Sequence, residues 1–278
     1  MRVNGVELFC ELKGAGEPLV LVHGSWGDHH NWDPVVGLLS ESFKVVVYDR
    51  RGHSQSERPA GQGSVYDDAD DLAALIQVLG LGSAHVVGNS FGSIVALNAA
   101  IRHPEVFATL VVHEPPLLGM LAGTGFEPVL EEVNRRVGAV IDLLEAGEDE
   151  AGAKRFVETV AWRPGAWEDE LTPEVRAVFT GNAPTFLDEA HDADWQRIDL
   201  DRLGRFDRPA LMTKGTVSPP FFGAIVDTIG SALPHIELET MEGADHSPHQ
   251  SMPEQYVDVV RRFLEAARGV SGGPRRHG

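Results

Sequence analysis

The chain has 278 residues, is 42% apolar and 23% charged, and carries a formal net charge of −19; this suits one large α/β domain, or a core with an inserted subdomain. Such acidity excludes the basic face of a nucleic-acid binder and disfavours docking on an anionic membrane. The single Cys10 excludes an intrachain disulfide and, with no basic leader and no apolar run near the roughly 18 residues of a membrane span, points to a soluble cytoplasmic protein.

Short β-rich runs alternate with helical spacing. The first strand is predicted over residues 19–22 and leads into His23-Gly-Ser-Trp-Gly27. A glycine-bearing turn after a strand offers backbone amides, here one from Gly24 to Trp26, with that of Ser25 foremost. His23 orders this loop rather than moving protons. His29 and His30 match no metal-ligand spacing, so no metal site is expected. A strand at 44–48 follows, then the turn Asp49-Arg-Arg-Gly-His-Ser-Gln-Ser56, where Asp49 and Arg50 make loop contacts. Helical spacing covers 69–79.

The next strand, 85–87, meets Gly88-Asn-Ser-Phe-Gly92, and a helix runs over 92–102. A serine between glycines at a tight strand-to-helix turn is a nucleophile elbow. Ser90 then projects above the strand end, and the helix start aims amides at developing negative charge. The Phe91 amide pairs with that of Ser25 as an oxyanion hole. A strand over 109–112 ends at His113-Glu114-Pro115-Pro116.

From 117 to 205 no strong strand is predicted. Helices are expected at 126–145, 149–161, 172–180 and 184–192, with Pro173 and Pro184 at first-turn positions. Such a block between two core strands reads as a lid. Its aromatic residues, among them Trp162, Trp167 and Trp195, either pack the lid onto the core or line a pocket for an apolar substrate; Trp26 is a further pocket candidate. Strands return at 210–213 and 235–239, separated by Lys214-Gly-Thr-Val-Ser-Pro-Pro-Phe-Phe222, and Gly243-Ala-Asp-His246 follows the last. His246 is the general base, with His249 as the alternative. Alternating strands and helices of this kind predict a doubly wound, mostly parallel sheet. The core is placed at 1–116 and 206–268, the helical lid at 117–205 and a flexible tail at 269–278.

These pieces, in this order, resemble the α/β-hydrolase superfamily over nearly the whole chain. The departure is Ser54, where glycine is common. The resemblance places the triad acid after the strand that follows the lid, yet residues 215–222 hold Ser218 and no carboxylate. Asp207 precedes that strand, Asp227 belongs to the next helix, and Asp245 adjoins His246, so it points to the opposite side of an extended segment. Glu114 exits a strand at the same edge as Ser90, and Pro115 predicts an extended conformation for it. Glu114 is therefore the expected acid, with Ser218 marking a loop in which Pro219, Pro220 and Phe221 shape a pocket wall.

Some haloalkane dehalogenases also place their acid after this earlier strand, but they use an aspartate nucleophile where this chain has Ser90. The segments His113-Glu-Pro-Pro-Leu-Leu118, 215–222 and 243–256 are similar to those of zearalenone lactonases, serine enzymes with glutamate in this position. The resemblance implies a serine hydrolase of a small-molecule ester or lactone, with no cofactor. Carbon–carbon bond hydrolysis and cofactor-free perhydrolysis can run on the same triad, and some relatives are small-molecule receptors. A homo-oligomer is compatible with the sequence.

Overall fold

The computed structural model describes residues 1–233 and 235–271, the side chains of 269–271 excepted. In chain order the strands and helices are β1 Arg2–Val3, β2 Val6–Glu7, β3 Cys10–Lys13, β4 Glu17–Val22, α1 Asp33–Leu39, β5 Phe43–Tyr48, α2 Val65–Val78, β6 Ala84–Asn89, α3 Phe91–Arg102 and β7 Phe107–His113. Then follow α4 Glu127–Glu145, α5 Asp149–Phe156, α6 Ala166–Asp169, α7 Pro173–His191, α8 Leu200–Leu203, β8 Ala210–Gly215, α9 Pro220–Ala232, β9 Ile236–Met241, α10 Pro248–Ser251 and α11 Pro253–Ser271.

Seven strands form one sheet in the order β3-β5-β4-β6-β7-β8-β9. All neighbours are parallel except β3, which runs antiparallel along β5. The central strands carry short Val/Leu runs and are buried along most of their length because helices cover both of their faces. Successive side chains alternate between the faces. Val20, Val22, Val86 and Val112 meet Leu72, Ile94 and Ile225 of α2, α3 and α9. Leu19, Leu21, Val87 and Val111 meet Val35 of α1 and Tyr256, Val260 and Phe263 of α11. Parallel packing of this kind brings the strand ends after β4, β6, β7, β8 and β9 to one edge, where the chemistry collects.

The stretch between β7 and β8 is helical, with no strand among the described residues. Its apolar side chains form a separate cluster of Val140, Leu144, Val157, Trp167 and Phe186 around Trp26. Pro173 opens α7 behind the cap Thr172, as expected. Pro184 does not open a second helix: α7 continues through it to His191. A proline inside a helix costs about 3 kcal/mol, and here Asn182, Thr185 and Glu189, on either side of it, are tied to core loops. Those contacts hold the helix across the lost hydrogen bond. The helix expected over 149–161 is α5 followed by a π-helical segment, Val157–Ala161. Of the tail expected from 269, residues 269–271 complete α11 and the rest lies outside the described residues. No described helix is long and apolar enough to cross a membrane.

Candidate active site

Ser90 stands between β6 and α3 with φ 55° and ψ −126°. A non-glycine residue there stores about 1–3 kcal/mol of backbone strain, so the surroundings must over-determine it. A side chain on Gly88 would meet Gly92 O at 2.5 Å, and one on Gly92 would collide with Val22 O. The Ser90 amide donates to His113 O (3.1 Å), and Ser93 Oγ donates to Gly88 O or His113 O at 2.9 and 3.0 Å. Phe91 is the first residue of α3, so its N–H has no intrahelical acceptor. Against Ser90 lies the turn after β4: a Cβ on Gly24 would sit 3.0 Å from Ser90 Cβ and 3.5 Å from its Oγ. The elbow and the turn after β4 thus lie against each other.

His246 arrives on the loop after β9. Its carbonyl accepts from Asn89 Nδ2 at 2.8 Å, and the preceding Asp245 carbonyl accepts from His113 Nε2 at 3.1 Å. His113 is fully buried, which pushes its pKa down to about 4 despite the adjacent Glu114 carboxylate. It is therefore neutral, with its proton on Nε2 and its Nδ1 accepting from Thr213 Oγ1 at 2.7 Å. On the other side, Phe222 stacks on the His246 ring, centroids 4.4 Å apart and planes 21° apart.

Glu114 is fully buried. Its Oε2 accepts from His246 Nδ1 at 2.8 Å and its Oε1 from the Gly215 amide at 2.8 Å. Burial pushes its pKa up, but the His246 hydrogen bond, the two neighbouring histidines and the Gly215 amide more than offset this and hold it below the usual value. The backbone differs from expectation. Glu114 is not extended but left-handed, with φ 45°. Proline restrains the preceding residue away from the right-handed helical region, and the left-handed kink lets the carboxylate reach both Gly215 and His246.

The other acids are engaged elsewhere. Asp245 Oδ1 accepts from Ser247 N and Ser251 Oγ, both at 2.9 Å. Asp227 pairs with Lys214 at 2.5 Å, and the Asp207 side chain is 76% exposed. Ser218 is buried with a hydroxyl that lacks a protein partner. His249, the alternative base, is buried between Trp32 and Tyr256, and burial pushes its pKa down to about 3.

The pocket expectations divide. Trp195 is half-buried with its ring 6.2 Å from that of Phe91, and the Phe221 ring lies 4.5 Å from that of Phe222, tilted by 34°. Pro220 is exposed as the first residue of α9, and Trp162 is 46% exposed beside Phe179. Trp26 and Trp167 are corrected: both are 1% exposed and belong to the buried cluster under the helical block. Their large apolar surface gains most from full burial there. A small open cleft lies between the 51–65 loop and α7, and it meets the site at Phe91.

Asp28, His29 and Asp49 bring ligand-type atoms within 4.8 Å of one another. Every one of their carboxylate oxygens already accepts from a protein donor: His29 N and Nδ1, Gln55 N, His30 N and Ser54 Oγ. Ser54 takes φ 40°, which is the physical reason glycine suits that position. Asn89, His113 and Phe222 form part of the site without having been singled out for it. Asn89 and His113 adjoin Ser90 and Glu114 in sequence, and strand alternation could have flagged them.

The chain matches the alpha/beta hydrolase family over residues 19–259. It is 36% identical to the uncharacterized hydrolase YraK of Bacillus subtilis over 126 residues, 44% of this chain and 46% of that protein. It is 26% identical to the 2-(acetamidomethylene)succinate hydrolase of Mesorhizobium japonicum over 95% of this chain and 94% of that one. The structure of an alpha/beta hydrolase from Sphaerobacter thermophilus superposes with a TM-score of 0.78 at 25% identity, covering 95% of this chain and 99% of the other.

Proposed function

The chain belongs to the alpha/beta hydrolase family, and on that premise we propose that it is a serine hydrolase cleaving a carboxylic ester or lactone through an acyl-enzyme. The reading is carried by the 2.8 Å contact between Glu114 and His246 at the strand edge that presents Ser90. With Nδ1–H donated to Glu114, the His246 Nε2 lone pair is free to act as base. Ser90 Oγ attacks the carbonyl carbon as its proton passes to Nε2. The oxyanion is received by the Ser25 and Phe91 amides. The protonated imidazole, steadied by Glu114, gives its proton to the leaving alkoxide. Water then loses a proton to Nε2, adds to the acyl carbon and expels Ser90 Oγ. In a lactone the released alcohol stays on the same molecule. The mechanism uses no cofactor.

Trp195, Phe221 and Phe222 favour a substrate with an apolar or aromatic body, and resorcylic macrolactones such as zearalenone belong to that class. A panel of simple esters, lactones including zearalenone, a vinylogous diketone and peroxide tests the reading. Turnover of an ester or lactone that vanishes in Ser90→Ala is expected. Turnover confined to the diketone or to peroxide would move the assignment to carbon–carbon hydrolysis or perhydrolysis. Ligand binding without any turnover would make the protein a receptor.

A further inference from the structure

We propose that Arg50 and Glu189 are positioning residues for the oxyanion turn, so that the docking of α7 on the core sets the competence of the reaction centre. The proposal rests on the serine-hydrolase reading above. Arg50 is fully buried. Its Nε donates to His23 O and its Nη2 to Gly24 O, both at 3.2 Å, and Nη2 also donates to Glu189 Oε1. Its Nη1 lies 3.2 Å from Asp68 Oδ1, outside hydrogen-bond geometry, and the guanidinium covers the Phe91 ring at 4.8 Å. The Arg50 amide donates to His23 Nε2 (2.9 Å), which puts the imidazole proton on Nδ1, and this donates to Gly24 O at 2.8 Å.

Two donors therefore hold the Gly24 carbonyl on the interior side. All described peptides are trans, and in a trans peptide the N–H points opposite to the C=O. Fixing Gly24 O inward aims the Ser25 N–H outward, where it donates to no acceptor within the described residues. The same turn packs on Ser90. The Ser25 hydroxyl donates to Glu189 Oε2 at 2.5 Å. One carboxylate thus takes Arg50 on one oxygen and Ser25 on the other.

Glu189 is one rung of a polar ladder on a single face of α7. Asn182 Nδ2 donates to Trp26 O and Gly27 O at 3.0 Å, Thr185 Oγ1 to Gly52 O at 2.6 Å, and Asp192 just past the helix accepts from Val65 N at 2.7 Å. Spacings of three, four and three residues place these groups on one stripe. A buried guanidinium deprived of one partner is strongly disfavoured, so shifting α7 would make Arg50 reorganise and release the Gly24–Ser25 peptide to rotate.

The test uses the full chain, an ester substrate and phenylboronic acid. Boronic acid adds Ser90 Oγ to boron and places a B–O⁻ in the oxyanion hole, so its affinity reports that hole apart from ground-state binding. Glu189→Ala is expected to lower kcat about 10–100-fold, somewhat less than outright loss of an oxyanion donor, and to weaken boronic acid binding by a similar factor. KM should change less than about threefold. Glu189→Gln can still accept from Arg50 through Oε1 and donate to Ser25 Oγ, and it should recover kcat to within about fivefold of wild type on the same basis. Should Glu189→Ala not fold, Ser25→Ala, which removes only the hydroxyl link, is expected to lower kcat and boronic acid affinity together. Folded variants with wild-type kcat and boronic acid affinity would overturn the positioning role alone. A wild-type protein that neither turns over esters nor binds boronic acid would instead overturn the serine-hydrolase reading.

Discussion

Glu114→Gln removes a charge and keeps a shape. Glu114 offers two acceptors, one to the Gly215 amide and one to His246 Nδ1. An amide offers one oxygen and one NH₂. The Gly215 N–H is fixed in the backbone and demands the oxygen, because a buried amide facing a donor forfeits its hydrogen bond. The NH₂ group then faces His246 and favours the tautomer with its proton on Nε2, which cannot accept from Ser90. Loss of both the correct tautomer and the countercharge lowers kcat by about 10³–10⁴, equivalent to roughly 4–5.5 kcal/mol of transition-state stabilisation. The fold is expected to survive, since volume and one hydrogen bond are kept. Initial rates on the best ester of the panel at pH 8, with a thermal melt on the same sample, measure both. A folded Glu114→Gln within tenfold of wild type would refute the assignment and return attention to the buried Ser218, whose replacement by alanine should leave kcat within about twofold on this account.

Other expectations follow from the same contacts. Phe222→Ala removes the ring stacked on His246 and should lower kcat about tenfold and stability by about 2–4 kcal/mol, read from kinetics and urea unfolding; unchanged kcat would show that the ring does not position the base. His113 and His249 are held neutral, with pKa values of about 4 and about 3, whereas both titrate near 6.5 in an unfolded chain. Below about pH 6.5 the unfolded chain therefore binds more protons, so their contribution is complete above that pH and is lost as pH falls towards 4. Melting temperature should drop across this window, and His249→Phe, which fits between Trp32 and Tyr256, should flatten the drop. An equal slope in that variant would contradict the burial argument.

The sheet was legible wherever a strand is buried on both faces. β4 to β7 each centre on two to four consecutive Val or Leu residues, and the glycines around Ser90 announce a turn that no other residue pair could fit. At the sheet's edge the signal fades: β3 is Cys-Glu-Leu-Lys, mostly exposed, and carries no burial pattern. The β1–β2 hairpin escaped notice although Asn4-Gly5, both at positive φ, is a strong two-residue turn signal. Pro184 misled because a local rule about proline met tertiary contacts that outweigh it. Pro115 implied an extended Glu114 because the rule speaks of right-handed helix and leaves the left-handed region open. Trp167 in the helical insertion and Trp26 in the core turn beneath it showed that an aromatic residue does not declare which side of it is wet. The Arg50–Glu189 contact joins residues 139 apart, and neither neighbourhood points to the other.

The proposed serine mechanism requires a covalent intermediate on Ser90. A fluorophosphonate incubated with folded wild type, followed by intact mass and peptide mapping, tests it most directly. One adduct is expected, on Ser90, lost in Ser90→Ala together with ester turnover. Folded wild type that gains no adduct, or a Ser90→Ala protein that still turns over substrate, would contradict it.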